Sequence, residues 1–142
     1  MNDKIIYDLQ FNKDWNVKPG QTAGKLQCNC FLELTIEHQI YNPETIHRVF
    51  NKNNGKTAQK LGFVKVLKCT KFEYKDLNKY EGMCYLCTGE GVNETKSIIQ
   101  KKYKNTIKDN TTLAFVLFRY LTQSEIVLLT ENIKEQSQTK LM

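Results

Sequence analysis

Apolar positions in this chain recur first with a period of two and then with a period near 3.6, and the order of these changes predicts a fold. Residues 26–37 alternate, with Leu26, Cys28, Cys30, Leu32, Leu34 and Ile36 on one face and Gln27, Asn29, Phe31, Glu33, Thr35 and Glu37 on the other. That is the pattern of a strand buried on one side. Asn42-Pro43-Glu44 then carries a helix-start signature: an Asn cap, proline at the first helical position and an acid near the positive dipole end. Ile46, Val49 and Phe50 follow at i, i+3 and i+4, so a helix is expected over 43–61, ending or interrupted near Asn54-Gly55. A second alternating segment covers 63–74, where Val64 and Val66 flank Lys65. The apolar run 82–88 reads as a strand with Cys84 and Leu86 inward and Met83 and Tyr85 outward. A lysine-rich helix is expected over 93–107, its stripe of Ile98, Ile99, Tyr103 and Ile107 surrounded by Lys96, Lys101, Lys102, Lys104 and Lys108. The last run, 111–121, has so little polarity that it reads as a central or well-covered strand.

Strand, helix, strand, strand, helix, strand is the βαββαβ order of an α+β, ferredoxin-like sandwich. It implies a four-stranded antiparallel sheet backed by two helices on one face, with the other face open to a ligand. The domain so predicted spans 25–122, between an N-terminal arm (1–24) and a C-terminal helix and tail (123–142). Within the arm, 4–11 reads as an added edge strand or a partner-binding segment, and Lys18-Pro19-Gly20 as a turn. Ser124-Glu125 is expected to cap a short helix over 126–134. Trp15, the one tryptophan, either caps the core or anchors a partner, and Tyr7 and Ile126 join it as expected partner contacts.

Composition changes this picture modestly. With 142 residues the chain is most simply one domain with extensions, and its formal net charge of +6 favours polyanionic partners or an acidic neighbour. The lysine excess accompanies many asparagines and only 2 prolines, a bias that an AT-rich genome explains as readily as nucleic-acid binding. No apolar run approaches the roughly 20 residues that a bilayer span needs, so no membrane association is expected. The start Met1-Asn2-Asp3-Lys4 has no long apolar segment behind it, and the 5 cysteines are odd in number. Both point to reduced thiols in a nuclear or cytoplasmic compartment.

Candidate chemistry is sparse. Cys28-x-Cys30, Cys69 and Cys84-x-x-Cys87 invite a zinc reading, but cysteines in strands do not converge as a tetrahedral site requires. They read instead as small core residues, and no metal or cofactor is expected. Pro19-Gly20-Gln21-Thr22-Ala23-Gly24-Lys25 is one residue short of a phosphate loop, and Gly89-Glu90-Gly91 with Lys96-Ser97 lacks the glycine before its lysine. His38 and His47 flank a turn beside Glu37 without a nucleophile or carboxylate pair, so surface or capping roles are expected and catalysis is not. Thr57-Ala58-Gln59-Lys60-Leu61-Gly62 faintly matches one helix of a helix-turn-helix, yet the segment after it alternates like a strand.

Glu81-Gly82-Met83-Cys84-Tyr85-Leu86-Cys87-Thr88 resembles the RNP1 segment of the RNA recognition motif through Gly82, Cys84, Tyr85 and Leu86, and departs from it at Glu81, Met83 and Thr88. Cys30-Phe31-Leu32-Glu33-Leu34 is similar to RNP2, with Phe31 at its aromatic position, and 44–50 resembles the family's first helix. The resemblance implies that Phe31, Tyr85 and Met83, with Lys65 and Lys71 beside them, form a sheet surface for RNA or single-stranded nucleic acid. Packing of Phe31 and Tyr85 under the arm or the C-terminal helix is the competing reading. The expected role is a small non-catalytic accessory subunit of a larger nucleic-acid-associated complex. A purely structural protein–protein subunit, and a DNA-binding accessory protein of OB-fold or helix-turn-helix type, remain open alternatives.

Overall fold

The computed structural model describes residues 6–11, 25–51 and 59–131. Trp15 and most of the N-terminal arm lie outside the described residues, as does the last part of the expected C-terminal helix. The fold is α+β. Strands β1 (Ile6–Phe11), β2 (Cys30–Thr35), β3 (Ile46–Asn51), β4 (Gln59–Glu73) and β5 (Thr112–Tyr120) form one mixed sheet in the order β1-β3-β4-β5-β2. Among the described strands only β1 and β3 run parallel; the other neighbours are antiparallel. Helices α1 (Glu81–Thr88) and α2 (Val92–Lys102) connect β4 to β5, and α3 covers 123–131. No described helix is long and apolar enough to cross a membrane.

Two expected elements exchange type. Of the helix expected over 43–61, residues 43–51 and 59–61 form a turn, β3 and the start of β4, while 52–58, with the expected Asn54-Gly55 stop, lie outside the described residues. Asn42-Pro43-Glu44-Thr45 closes through Thr45 N to Asn42 O at 3.1 Å, with Glu44 at φ 72°. Proline followed by a positive-φ residue is type II turn geometry, which the same proline serves as well as a helix start. The strand expected over 82–88 is α1. Cys84, Cys87 and Thr88 are its buried residues, a helical i, i+3, i+4 stripe, and Gly89 stops it at φ 80° by donating its N–H to Tyr85 O. These exchanges and the parallel β1–β3 pair distinguish the element order from βαββαβ.

The segments read as strands over 26–37 and 111–121 contain β2 and β5, the one read over 63–74 overlaps β4, which begins four residues earlier, and the helix read over 93–107 overlaps α2. Of the two roles expected for 4–11, its described residues Ile6–Phe11 take that of the added edge strand, β1. The cap of α3 lies two residues before the expected one. Glu125 N donates to Thr122 Oγ1, and Thr122 N donates to Glu125 Oε1, a reciprocal capping box.

Both sheet faces are covered. On one side α1 and α2 bury Cys84, Cys87 and Ile99 against Leu32, Leu34, Phe72, Leu113 and Phe115. On the other the sheet curls around Leu9, Phe11, Phe31, Val49, Val64, Val66, Val116 and Phe118. Irregular pairing between Val66 and Lys68 and between Val49 and Phe50 provides the bends that such curling needs. Gly62, at φ 150°, faces the second bend, and a Cβ there would meet Tyr120 Cδ1 at 3.4 Å. The curl brings together β1 and β2, the opposite ends of the strand order: the Phe11 and Phe31 ring centroids are 6.0 Å apart.

Candidate functional site

The expected nucleic-acid surface does not assemble on the sheet. Phe31 is 4% exposed, enclosed by Phe11, Phe118 and Tyr120. It packs under the N-terminal strand, as the competing reading had it. Tyr85 and Met83 sit on α1, which covers the opposite sheet face, so Phe31 and Tyr85 cannot share a platform. Tyr85 is 52% exposed and Met83 half-buried against the core. Lys65 pairs with Glu44 at 3.4 Å, and Lys71 is exposed on β4. Of the expected partner contacts, Tyr7 is half-buried and stacks on His47 at 5.4 Å, while Ile126 is half-buried on α3 beside exposed Val127 and Leu128.

The histidines and cysteines also separate. His47 is fully buried, neither a surface nor a capping residue, and burial lowers its pKa to about 4. His38 is partly buried, and its pKa falls through burial and the Lys71 charge. Cys28 and Cys30 are exposed, not inward as the alternation implied, because β2 begins at Cys30 and buries Phe31 and Leu32 on its two faces. Cys84 and Cys87 are buried as small core residues, but on a helix, where their i, i+3 spacing puts both inward. Burial pushes the Cys87 thiol up to about 11. No cluster of three or more His, Cys, Asp or Glu with metal-binding geometry occurs among the described residues.

A different surface gathers polar groups: a groove of about 370 Å³ lined by Tyr74, Lys96, Ser97, Gln100, Lys101 and Asn105. Two i, i+4 rows on α2, Lys96–Gln100 and Ser97–Lys101, supply one wall. Tyr74 follows β4 directly, its N–H donating to Thr111 O at 2.9 Å, and supplies an aromatic wall. Lys96 Nζ lies 5.8 Å from the Tyr74 ring centroid, a cation–π distance.

The groove end is set by how α2 stops. Asn105 N donates to Gln100 O at 2.7 Å and Lys104 N to Lys101 O at 3.3 Å, the paired bonds of a Schellman motif. Lys104 and Asn105 sit at φ 56° and 60°, where glycine is the usual occupant. Strained backbone of this kind clusters at ligand sites. Gln100 Nε2 donates to Ile107 O at 2.8 Å, whereas its Oε1 is buried with no donor among the described residues.

Charge in the groove is one-sided. Beside it, Lys75 pairs with Glu73 at 3.2 Å and Lys79 with Asp76 at 3.5 Å, so those charges offset one another. The hydrogen bond from Lys75 to Glu73 raises the Lys75 pKa. Neither Lys96 nor Lys101 forms an ion pair among the described residues, and exposed Lys104 and Lys108 follow in the chain. The lysine-rich helix was legible in the sequence, but the role of Tyr74 was not. Its only sequence signal was an aromatic at the end of a strand. No protein-family model matches the chain, and comparisons with curated proteins and with solved structures return no match.

Proposed function

We propose that this protein is a non-catalytic accessory subunit that holds a nucleic-acid strand through the α2 groove. The observation that carries the reading is the pairing of an aromatic wall, Tyr74, with Lys96 and Lys101, which form no ion pair among the described residues. Phosphates supply the charge those lysines lack, and counterion release supplies the driving force. The reading keeps the ligand class that the RNA-recognition-motif resemblance implied but moves the contact from the sheet to the helical layer. An affinity for the motif itself rests on the RNP-like segments alone, one of which is helical here.

Binding of a random single-stranded oligonucleotide across a salt series tests the role. Affinity should fall as salt rises, with a slope of roughly 0.7 per phosphate contacted. The Lys96→Ala/Lys101→Ala double variant should lose about two contacts' worth of that slope. Absence of binding at low salt, or an unchanged slope in the double variant, would sink the proposal.

A second reading has one observation of its own. Val127 and Leu128 are 45% and 61% exposed side by side on α3, a surface that suits docking onto another subunit of an assembly. Co-purification of a protein partner that is lost in Leu128→Asp, with no oligonucleotide binding, would favour it.

A further inference from the structure

On one side β4 outruns its neighbour. Its pairing with β3 ends at Lys65, opposite Ile46. The turn before β3 then takes both backbone groups of Val66, with Glu44 N donating to Val66 O at 2.8 Å and Val66 N to Thr45 O at 3.0 Å. Past the irregular pairing between Val66 and Lys68, the strand has only β5 beside it as far as Glu73. Register gives the direction of each remaining backbone group. Tyr120 N donates to Asn29 O on the β2 side, so even-numbered residues of β5 face β2 and odd-numbered ones face β4. Leu117, Phe115 and Leu113 therefore pair with Lys68, Thr70 and Phe72, and the N–H and C=O groups of Cys69, Lys71 and Glu73 point away from β5. Among the described residues no hydrogen bond reaches those outward groups.

We propose that this edge receives an extended acidic segment of a partner protein as an added strand. Nucleic-acid binding in the α2 groove plays no part in it. From Cys69 to Glu73 the edge runs about 14 Å, room for a segment of about five residues. Main-chain bonds supply the affinity in such an addition. The edge is also preformed, because Phe72 stacks on Phe115 at 5.3 Å and on Tyr80 at 4.5 Å, which holds the strand in place. Charge selects the occupant. Lys68 and Lys71 are exposed and form no ion pair among the described residues, whereas Glu73 is offset by Lys75 at 3.2 Å. Lysines on a strand edge repel a second copy that brings lysines of its own, and they attract a strand bearing carboxylates.

Amide exchange followed by NMR tests the edge in the wild-type protein. The N–H groups of Cys69, Lys71 and Glu73 should exchange faster than those of Thr70 and Phe72, and a capped decapeptide alternating threonine and glutamate should slow the first three. Slow exchange of all five in dilute protein without peptide would overturn the open edge. Protection that appears on raising the protein concentration alone would make a second copy the occupant and overturn the acidic partner. Fluorescence anisotropy with labelled peptides separates main chain from charge. The same decapeptide N-methylated at two adjacent central residues keeps its charge but lacks a donor on either edge, and should bind at least about tenfold more weakly. A threonine–lysine decapeptide should bind more weakly still, and Lys71→Glu should shift the preference toward it by about tenfold. Equal binding of the N-methylated peptide would overturn strand addition, and equal binding of the lysine peptide would overturn the acidic preference. Failure of the threonine–glutamate peptide to bind or to protect Cys69, Lys71 and Glu73 would overturn the proposal outright.

Discussion

His47 has no exposed surface, and its ring lies 4.9 Å from Tyr41, 5.4 Å from Tyr7 and 5.8 Å from Phe118, centroid to centroid. Thr45 Oγ1 donates to Asn42 O at 2.7 Å, so it accepts from His47 Nε2 at 3.1 Å and leaves Nδ1 as a bare acceptor. The surrounding rings carry no charge to balance an imidazolium, and burial lowers the pKa to about 4. In the unfolded chain the same group titrates near its ordinary value of about 6.5. Between those values the unfolded state binds the proton and the folded state does not. Folding stability should therefore fall as pH drops from about 6.5 toward 4, by about 2 kcal/mol from this group. Urea unfolding at pH 7.5, 5.5 and 4.5 measures it, with His47→Phe as the comparison. The idea fails if wild type and variant lose stability equally over that range.

At the scale of elements, β2 closes its outer edge with side chains. Lys25 Nζ donates to Leu32 O at 2.6 Å, Leu34 N donates to Glu33 Oε1 at 2.9 Å, and Ile36 N donates to Tyr103 Oη at 3.4 Å. These backbone groups recur at every second residue, as the groups pointing away from β5 must. A strand edge left open pairs readily with another chain. Burial opposes ionisation of Glu33, but the Lys25 and Lys102 charges and the Leu34 N–H outweigh it and hold its pKa below the ordinary value. Lys25→Met keeps the apolar stem and removes the donor to Leu32 O. We expect a loss of about 1–3 kcal/mol and greater concentration-dependent self-association than wild type, read by sedimentation velocity. A variant that sediments like wild type would show that the edge is kept closed by something other than Lys25. The exchanged elements also belong at this scale. In β3 the inward positions are His47, Val49 and Asn51, and polar residues at two of them hid the period of two. In α1 the large apolar residues Tyr85 and Leu86 are exposed, so prominent apolar positions of 82–88 face outward and its buried stripe is made of Cys84, Cys87 and Thr88.

For the whole molecule the decisive feature is that the sheet curls until its ends meet. Phe11 on β1 is 4% exposed, against Phe31 on β2, and Lys25 Nζ lies over its ring at 5.7 Å. This contact joins the two ends of the strand order and covers the face on which a sheet-bound ligand was expected to lie. Phe11→Ala should cost about 3–5 kcal/mol, the range for deleting a buried aromatic. Amide exchange should then quicken in β2 as well as in β1. If only β1 loses protection, the curl is held elsewhere, and β1 is no more than an appended edge.

The sequence by itself determined what local pattern can encode: an α+β chain, the strands at 63–74 and 111–121 and the lysine-rich helix α2. In each of these the side-chain period agreed with the environment the segment finally meets. Tertiary structure decided the rest. A proline after asparagine suits a helix start and a type II turn equally, and whether Val66 O lies ready for Glu44 N–H, as it does at 2.8 Å, depends on a strand distant in sequence. Phe31 could face a ligand or Phe11, and only the curl of the sheet selected Phe11. The groove depends most on the fold, because Tyr74 and Lys96 come together only through the packing of α2 beside the segment after β4. That packing follows from buried area summed over both segments, a quantity that no local period contains.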